Sequence, residues 1–589
     1  MVKFFRGYPL VAPQAASYVD DSALANPNLA QPGGVVALIG SCSSGQPKTP
    51  LTFTDPAQAR LVLGQGPLVD AVTRCFAASV SSGGAGQVVA LRVNPSTRAT
   101  LTLADSQSPG QPAIQLVATD WGARTNLIRV QVTTPVSGGG KNLLVAHDDL
   151  VIQGTNIGQV AMTVAYTGAG TAATAAVSYT GGQGALQITV TGADDSLTLP
   201  FDQYPTLQAL KDALEATGKF VCTINQYQSL VPPPTNPTPA TVLDFQSGVD
   251  LKAPGGGALR ADVEAQTQWF NRVAGALVQA TRVVGTRPLA DIPVTYLAGG
   301  ADGTPTNADW ADCLTQLQNV DCHLVVPVSP ATDVHDAVVA HVNAMSGVNG
   351  KRERMAILGG DLGETPRSAL NAAARAQRYQ NARVVVVGPG LLDVDAYGNP
   401  LAVPPYLAAA QVAGLIASQG VAEPITRRYL NALGVEPASA QVAGGPLTQA
   451  ECEQWLQQGV CVLQLVPNRG VRVLQGVTTW TGDSSLVRRE ISVRRAADWV
   501  ARTVREAADE FLVGQRASAD LLVRTRSLVH SVLTRLQQDG VLVGDVGQPA
   551  FRNIIVRLTG DLVEIEFEAS PAVPANYVTI TAHLTPFAV

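Results

Sequence analysis

Four consecutive valines, Val384–Val387, restrict this chain more than any other stretch. A β-branched run is a poor helix former, and with no polar position it has no side to give to water. It therefore predicts a short strand buried on both faces. Val35–Ile39, Val88–Val93, Leu324–Val328 and Met355–Leu358 read the same way. Stretches with helical spacing fall around them: Pro56–Leu63, Leu68–Val80, Val334–Met345, Pro366–Gln380, Tyr406–Ser418 and Gln449–Gln458. Unalternating strands separated by helices predict a mostly parallel sheet covered on both sides. Val471–Val477 reads as a last strand before the character changes.

Two other patterns interrupt or follow this one. From Asn94 to Pro293, Thr, Ala, Gly and Val dominate. Short runs such as Ile128–Val132 and Leu186–Val190 are separated there by turn-forming glycines, which predicts a β-rich insertion, with room for two subdomains. Helical spacing over Leu207–Thr217 and Arg260–Val278, and the polyproline stretch Val231–Pro239, lie within it. After Ser485 come two helical stretches. In Ile491–Val513 the residues Ala497, Val500, Val504, Ala507 and Phe511 form an apolar stripe, with Arg494, Arg495, Arg502 and Arg505 off it. In Asp520–Leu536 the predicted buried face is Leu522, Val529, Val532 and Leu536. The period then changes to two: Val563, Ile565 and Phe567 alternate with Glu564, Glu566 and Glu568, a half-buried strand. Beyond Ser570–Asn576 the run Val578, Ile580, Ala582 and Leu584 predicts a terminal strand that can pair with its own sheet or with another molecule's open edge. Residues 1–30, punctuated by Pro9, Pro13 and Pro27, read as an extended arm without a core, and their opening has no apolar stretch of signal-peptide type.

At 589 residues the chain exceeds one core. Its net charge of −6 argues against a general nucleic-acid or anionic-membrane binder, and no run approaches the roughly 18 apolar residues of a membrane span. Seven cysteines without Cys-x-x-Cys spacing read as buried thiols made in a reducing compartment, not as a zinc site.

The motifs that carry chemistry fail one by one. Gly40–Gly45 has the glycine spacing of a phosphate loop, but Gln46 and Pro47 stand where Lys and Ser/Thr belong. Gly388-Pro389-Gly390 follows a strand, but Asp393 replaces the third glycine of a dinucleotide loop and would repel pyrophosphate. The six histidines fall in no metal-ligand spacing, no Gly-x-Ser-x-Gly elbow occurs, and Asp302 reads as a turn residue. The expectation is no catalytic residue, no cofactor and no metal. What remains is an excess of arginine: ten Arg and no Lys against six acids between Ser485 and Arg535, which reads either as a solvated helix face or as a surface for an acidic protein partner.

In this order the parts resemble the contractile tail sheath proteins of long-tailed phages and related injection particles. The resemblance is carried by Pro32–Gly40, by Trp121–Asn126 before Leu127–Val132, and by Leu297–Gly303. Further along it rests on Pro404–Tyr406 with Ala413–Ala417, on Leu447–Val460, on Gly476–Thr479, and on the C-terminal helix–strand module. It implies a multidomain α/β + β chain whose mostly parallel α/β core has a subtilisin-like but non-catalytic fold. The sequence has neither a His-Gly-Ser/Thr nor a Gly-Thr-Ser-x-Ala/Ser motif. The expected boundaries are an N-terminal arm 1–30, α/β core 31–93 and 296–480, an outward-facing β-rich insertion 94–295, an α+β polymerisation module 481–574 and a C-terminal strand arm 575–589. It further implies strand exchange between copies through Val2, Phe4, Phe5, Tyr577, Val578, Ile580 and Leu584, onto a sheet holding Val563, Ile565 and Phe567. Arg494, Arg495, Arg502 and Arg505 become candidates for facing an inner tail tube. The implied partners are further copies in stacked rings or a helical sheath, the tube protein, and baseplate and tail terminator proteins, with neither nucleic acid nor membrane insertion. The implied location is the virion tail, assembled in the bacterial host cytoplasm. Two other classes stay open on the residues alone: an α/β hydrolase-like enzyme with an accessory β domain, and an extracellular lattice protein.

Overall fold

The valine run is the strand Val384–Gly388, and it lies inside an eight-stranded sheet. The computed structural model describes residues 3–5, 8–10, 34–180, 183–225, 243–283, 287–395, 397–516 and 518–581. Across the sheet the order is Gly470–Val473, Val460–Val466, Val384–Gly388, Met355–Gly359, Leu324–Pro327, Val36–Gly40, Val88–Arg92, Leu51–Phe53. The six inner strands run parallel and the two outermost are antiparallel. Because successive side chains point to opposite faces, each apolar run feeds two cores. Val385 and Val387 join Leu38, Val326 and Ile357 on one side; Val384 and Val386 join Ile39, Val325 and Leu358 on the other.

The first core is roofed by the helices Pro67–Phe76 and Pro405–Ser418, the second by Asn307–Leu317, Thr332–Met345, Ala372–Tyr379 and Gln449–Gln457. Pro405–Ser418 is buried almost all round, which its small residues permit. A Cβ on Gly414 would overlap the Cys75 carbonyl oxygen, so the two roofing helices touch backbone to backbone there. Several predicted edges shift: the helix expected to Val80 ends at Phe76, and the helix expected to Val278 ends at Arg272, with Val278 opening a strand. The helix expected from Pro366 begins only at Ala372, capped by Asn371; that expected from Arg260 begins at Asp262; the strand expected to Val477 ends at Val473.

The chain divides into two compact units, one of residues 1–42, 48–94 and 305–589 and the other of 43–47 and 95–304. The sheet above belongs to the first. The second is β-rich and holds two cores. One, under the sheets that include Thr100–Ala104, Pro112–Ala118, Arg129–Thr133 and Lys141–His147, is closed by the helix Asp262–Arg272. The other is built wholly from residues between Ala161 and Ala261 and is closed by the helix Leu207–Glu215. The chain enters and leaves this inner subdomain side by side, since Val160 pairs with Arg260.

In the first unit the helices Ile491–Phe511 and Ala519–Gln538 pack with the hairpin Phe551–Thr559/Leu562–Ala569 around Ala496, Val500, Val529, Leu533 and Ile554. The predicted apolar faces hold in part: Val500, Val504, Val529 and Leu536 are buried as expected. Phe511 is 57% exposed, Arg495 is buried in its stead, and on the second helix Leu521, Thr525, Val529, Leu533 and Leu536 face inward. Near the N-terminus Lys3–Phe5 and Tyr8–Leu10 pair with each other, antiparallel.

Candidate assembly interface

The carboxyl ends of parallel strands are where an α/β protein of this kind keeps its chemistry. Here those ends are occupied by internal contacts. After Met355–Gly359, Glu364 pairs with the buried Arg375 at 2.6 Å, and Glu436 accepts from the Gly363 amide at 2.5 Å. His335 donates through Nε2 to the Ser329 carbonyl at 2.8 Å and turns Nδ1 toward Arg375. Burial and that guanidinium hold His335 down at about 4, so it is neutral near pH 7. His341, beside Arg354 at 2.8 Å, is likewise held at about 4. His335 and His341 are both hydrogen-bonded core residues. In the second unit the amide of Gly45, in the loop with phosphate-binding glycine spacing, donates to the Asp120 carboxylate at 2.9 Å. A carboxylate already occupies that donor. All seven cysteines are buried thiols; burial pushes Cys461 and Cys313 up to about 12 and Cys322 up to about 11, which leaves them poor nucleophiles.

The arginine-rich helix has a definite use. Ile491–Phe511 lies across the amino ends of three neighbouring core strands and is clamped to a residue a short way ahead of each. Arg502 reaches Asp321, ahead of the strand Leu324–Pro327, with two bonds of 3.0 and 2.9 Å, and Glu506 at 2.6 Å. Arg505 forks onto Glu353, ahead of Met355–Gly359, at 2.5 and 2.8 Å. Asp498 receives a fork from Arg383, ahead of Val384–Gly388, at 2.6 and 2.9 Å, and also pairs with Arg494. Arg495 is 7% exposed and donates to the Ile416 carbonyl at 3.0 Å; burial lowers it to about 10. His323, whose Nε2 accepts from Arg502 at 3.0 Å, is held at about 4 mainly by burial. Between helix and sheet is a cavity of about 30 Å³ lined by His323, Glu353, Arg354 and Trp499, room for one water. Arg494, Arg495, Arg502 and Arg505 thus bond within their own unit, and Arg495 has no exposed guanidinium to offer a partner. Two of the acids these arginines answer, Asp498 and Glu506, lie one helical turn along, whereas Asp321 and Glu353 lie far away in the chain.

The strand residues fall in three groups. Val563, Ile565 and Phe567 are half-buried on the inner face of the hairpin, while Glu566 and Glu568 on the outer face pair with Arg557 and Arg552. That sheet has only two strands, so among the described residues each has one edge without a neighbour. Tyr577, Val578 and Ile580 have no regular structure and are 85%, 79% and 87% exposed. Leu584 and Val2 lie outside the described residues, and Phe4 and Phe5 stand in the first strand of the N-terminal hairpin. Several elements escaped sequence reading, among them the helix Asn307–Leu317, the core strand Val460–Val466, the edge strand Leu51–Phe53 and the strand Phe551–Thr559. The strand Phe551–Thr559 carries a bulge between Arg552 and Ile555, with Asn553 at φ 55°, which breaks the alternation that would have announced it.

Residues 303–479 match the family model of the phage tail sheath protein central domain. The tail sheath protein of Bacillus phage SP01 is 28% identical over 588 residues, 99% of this chain and 97% of that protein. The putative tail sheath protein of Enterococcus phage phiEF24C is 26% identical, covering 92% of each. Among solved structures, the sheath tail protein of Listeria innocua has a TM-score of 0.53 at 16% identity, covering 93% of this chain and 94% of that one. That of Desulfitobacterium hafniense has a TM-score of 0.51 at 17% identity, covering 95% and 96%. The chain is similar over nearly its whole length to phage tail sheath proteins, and its residues 303–479 match the model of their central domain.

Proposed function

We propose that this chain is the structural subunit of a contractile phage tail sheath, one that polymerises around an inner tail tube and shortens to drive that tube through the host envelope. The observation that carries the reading is an exposed apolar tail following a two-stranded sheet whose outer edges are unpaired among the described residues, in a chain similar over nearly its whole length to a tail sheath protein. A tail of this composition gains both ladder hydrogen bonds and burial when it adds to a sheet edge of a second copy. The N-terminal segment holding Val2, Phe4 and Phe5 does the same on another neighbour. Contraction is then a rigid-body rearrangement of metastable subunits, with no nucleotide involved. In this reading the α/β core is a subtilisin-like scaffold without catalytic residues, 94–295 faces outward, and 481–574 is the polymerisation module. The tube-facing role expected of Arg494, Arg495, Arg502 and Arg505 passes to guanidinium groups still exposed on that module, Arg524 and Arg535, whose side chains are 73% and 78% exposed. Tube, baseplate and terminator proteins are the partners, and assembly takes place in the host cytoplasm before the sheath is found on the virion tail.

Negative-stain electron microscopy of the purified protein, concentrated with and without cognate tail tubes, tests the reading. Sleeves of stacked rings are expected. A monomer that neither polymerises nor decorates tubes would overturn it.

A further inference from the structure

The segment between the hairpin and the exposed tail is held to its own subunit. Ser570 follows directly on the strand Leu562–Ala569, and a strand joined so closely to the next apolar segment invites that segment to fold back on its free edge. The chain takes another course. The Val543 amide donates to the Ser570 carbonyl and the Ala572 amide to the Val541 carbonyl, both at 3.0 Å, which carries Ser570–Ala572 along Val541–Val543. At the end of this run Asn576 Nδ2 donates to Glu490 Oε1 at 2.7 Å, and Gln475 Nε2 donates to the same oxygen. Glu490 is 1% exposed and immediately precedes the arginine helix. A carboxylate so deeply buried depends on its donors, and among the described residues one of its two side-chain donors comes from the segment before the tail. Pro571 and Pro574 stiffen the run between. The next residue, Tyr577, is 85% exposed.

We propose that Asn576, Glu490 and Gln475 form a clip that keeps the C-terminal strand off the open edge of its own hairpin sheet and so reserves that edge and that strand for second copies of the chain. The inference rests on the strand-exchange reading above and adds the positioning residues. With the clip closed, Ser570–Asn576 is spent on a path away from Leu562–Ala569, and residues from Tyr577 onward are presented outward. With it open, those same residues become a flexible turn, and the tail pairs with its own hairpin. Self-pairing is intramolecular and therefore outcompetes a neighbour at any ordinary concentration. The clip works against the wrong pairing without contributing to the right one.

Asn576→Asp tests this, because it sets a second carboxylate against Glu490. Hydrogen exchange on the free subunit should show new protection of the outward amides of Leu562–Ala569 and of Tyr577–Thr581. If the released tail is self-paired nine-tenths of the time, polymerisation slows about tenfold. The paired variant Gln475→Cys/Asn576→Cys supplies the converse. The native thiols are buried, so a short bis-maleimide bridges the new pair alone and closes the clip, while capping each thiol separately leaves it open. The bridged form should polymerise like the parent and the capped form like Asn576→Asp. Equal rates for bridged and capped forms, or parent-like polymerisation and exchange in Asn576→Asp, would overturn the clip. Should the parent itself never polymerise, the strand-exchange reading fails, and the exchange result alone decides whether the clip prevents self-pairing.

Discussion

Removing the Asp498 carboxylate should loosen the arginine helix from the core by a measurable amount. Asp498 is 8% exposed and receives the forked pair from Arg383 as well as Arg494. The side chains of Arg383 and Asp498 are 16% and 11% exposed, so solvent screens the pair only weakly. Asp498→Ala leaves two guanidinium groups at a nearly dry interface, and breaking such a pair from one side costs about 3–5 kcal/mol. Arg383 and Arg494 keep a little water, which favours the lower end, about 3 kcal/mol. For a large domain that lowers Tm by roughly 6 °C. Trp499 adjoins the site, its ring 6.3 Å from that of His323, so its fluorescence reports local release as well as global melting. Arg383→Met with Asp498→Leu should recover most of the loss, because a buried pair is replaceable by apolar groups of similar volume. A single-mutant change below about 0.5 kcal/mol, or strict additivity in the double-mutant cycle, would refute the clamp.

Acid should destabilise the subunit through its buried histidines. His323, His335 and His341 are held at about 4 in the folded state against 6.5 unfolded, so the unfolded chain binds more protons between those limits and stability falls as pH drops through that window. Each contributes a loss of about 2 kcal/mol by pH 5, and His335→Gln should flatten a urea-denaturation pH profile by that amount. Gly414→Val would drive a side chain into the Cys75 carbonyl and cost about 3 kcal/mol or more, read as lost soluble expression or a lowered Tm. The seven thiols should resist a disulfide reagent in the native protein and react together on unfolding; fast reaction of any one in the native subunit would contradict its burial. Deleting residues 577–589 should leave the melting temperature within about 2 °C, since Tyr577, Val578 and Ile580 bury little, yet abolish polymerisation in a light-scattering assay.

Much of the core was legible because burial on both faces leaves a mark inside a few residues. Val384–Val387 can satisfy two cores only from within a covered sheet, and the strand and its neighbours follow that logic. The bulged strand Phe551–Thr559 left no clean period to read, and on the helix Ile491–Phe511 the stripe held at Val500 and Val504 but left the buried Arg495 on the wrong side. A guanidinium that bonds main-chain carbonyls from an inward position mimics, in sequence, one that faces water.

By itself, then, the sequence determined what depends on neighbours along the chain: the periods of strands and helices, the β-rich interruption, the apolar character of the tail, and the ordered set of segments resembling a tail sheath protein. Tertiary structure alone decided what depends on charges and edges brought together from afar. Arg502 and Arg505 meet Asp321 and Glu353 across 181 and 152 positions, and Asn576 meets Glu490 across 86. A charged side chain records in sequence only that it needs a partner; which partner, and whether water or protein supplies it, is settled when the chain folds.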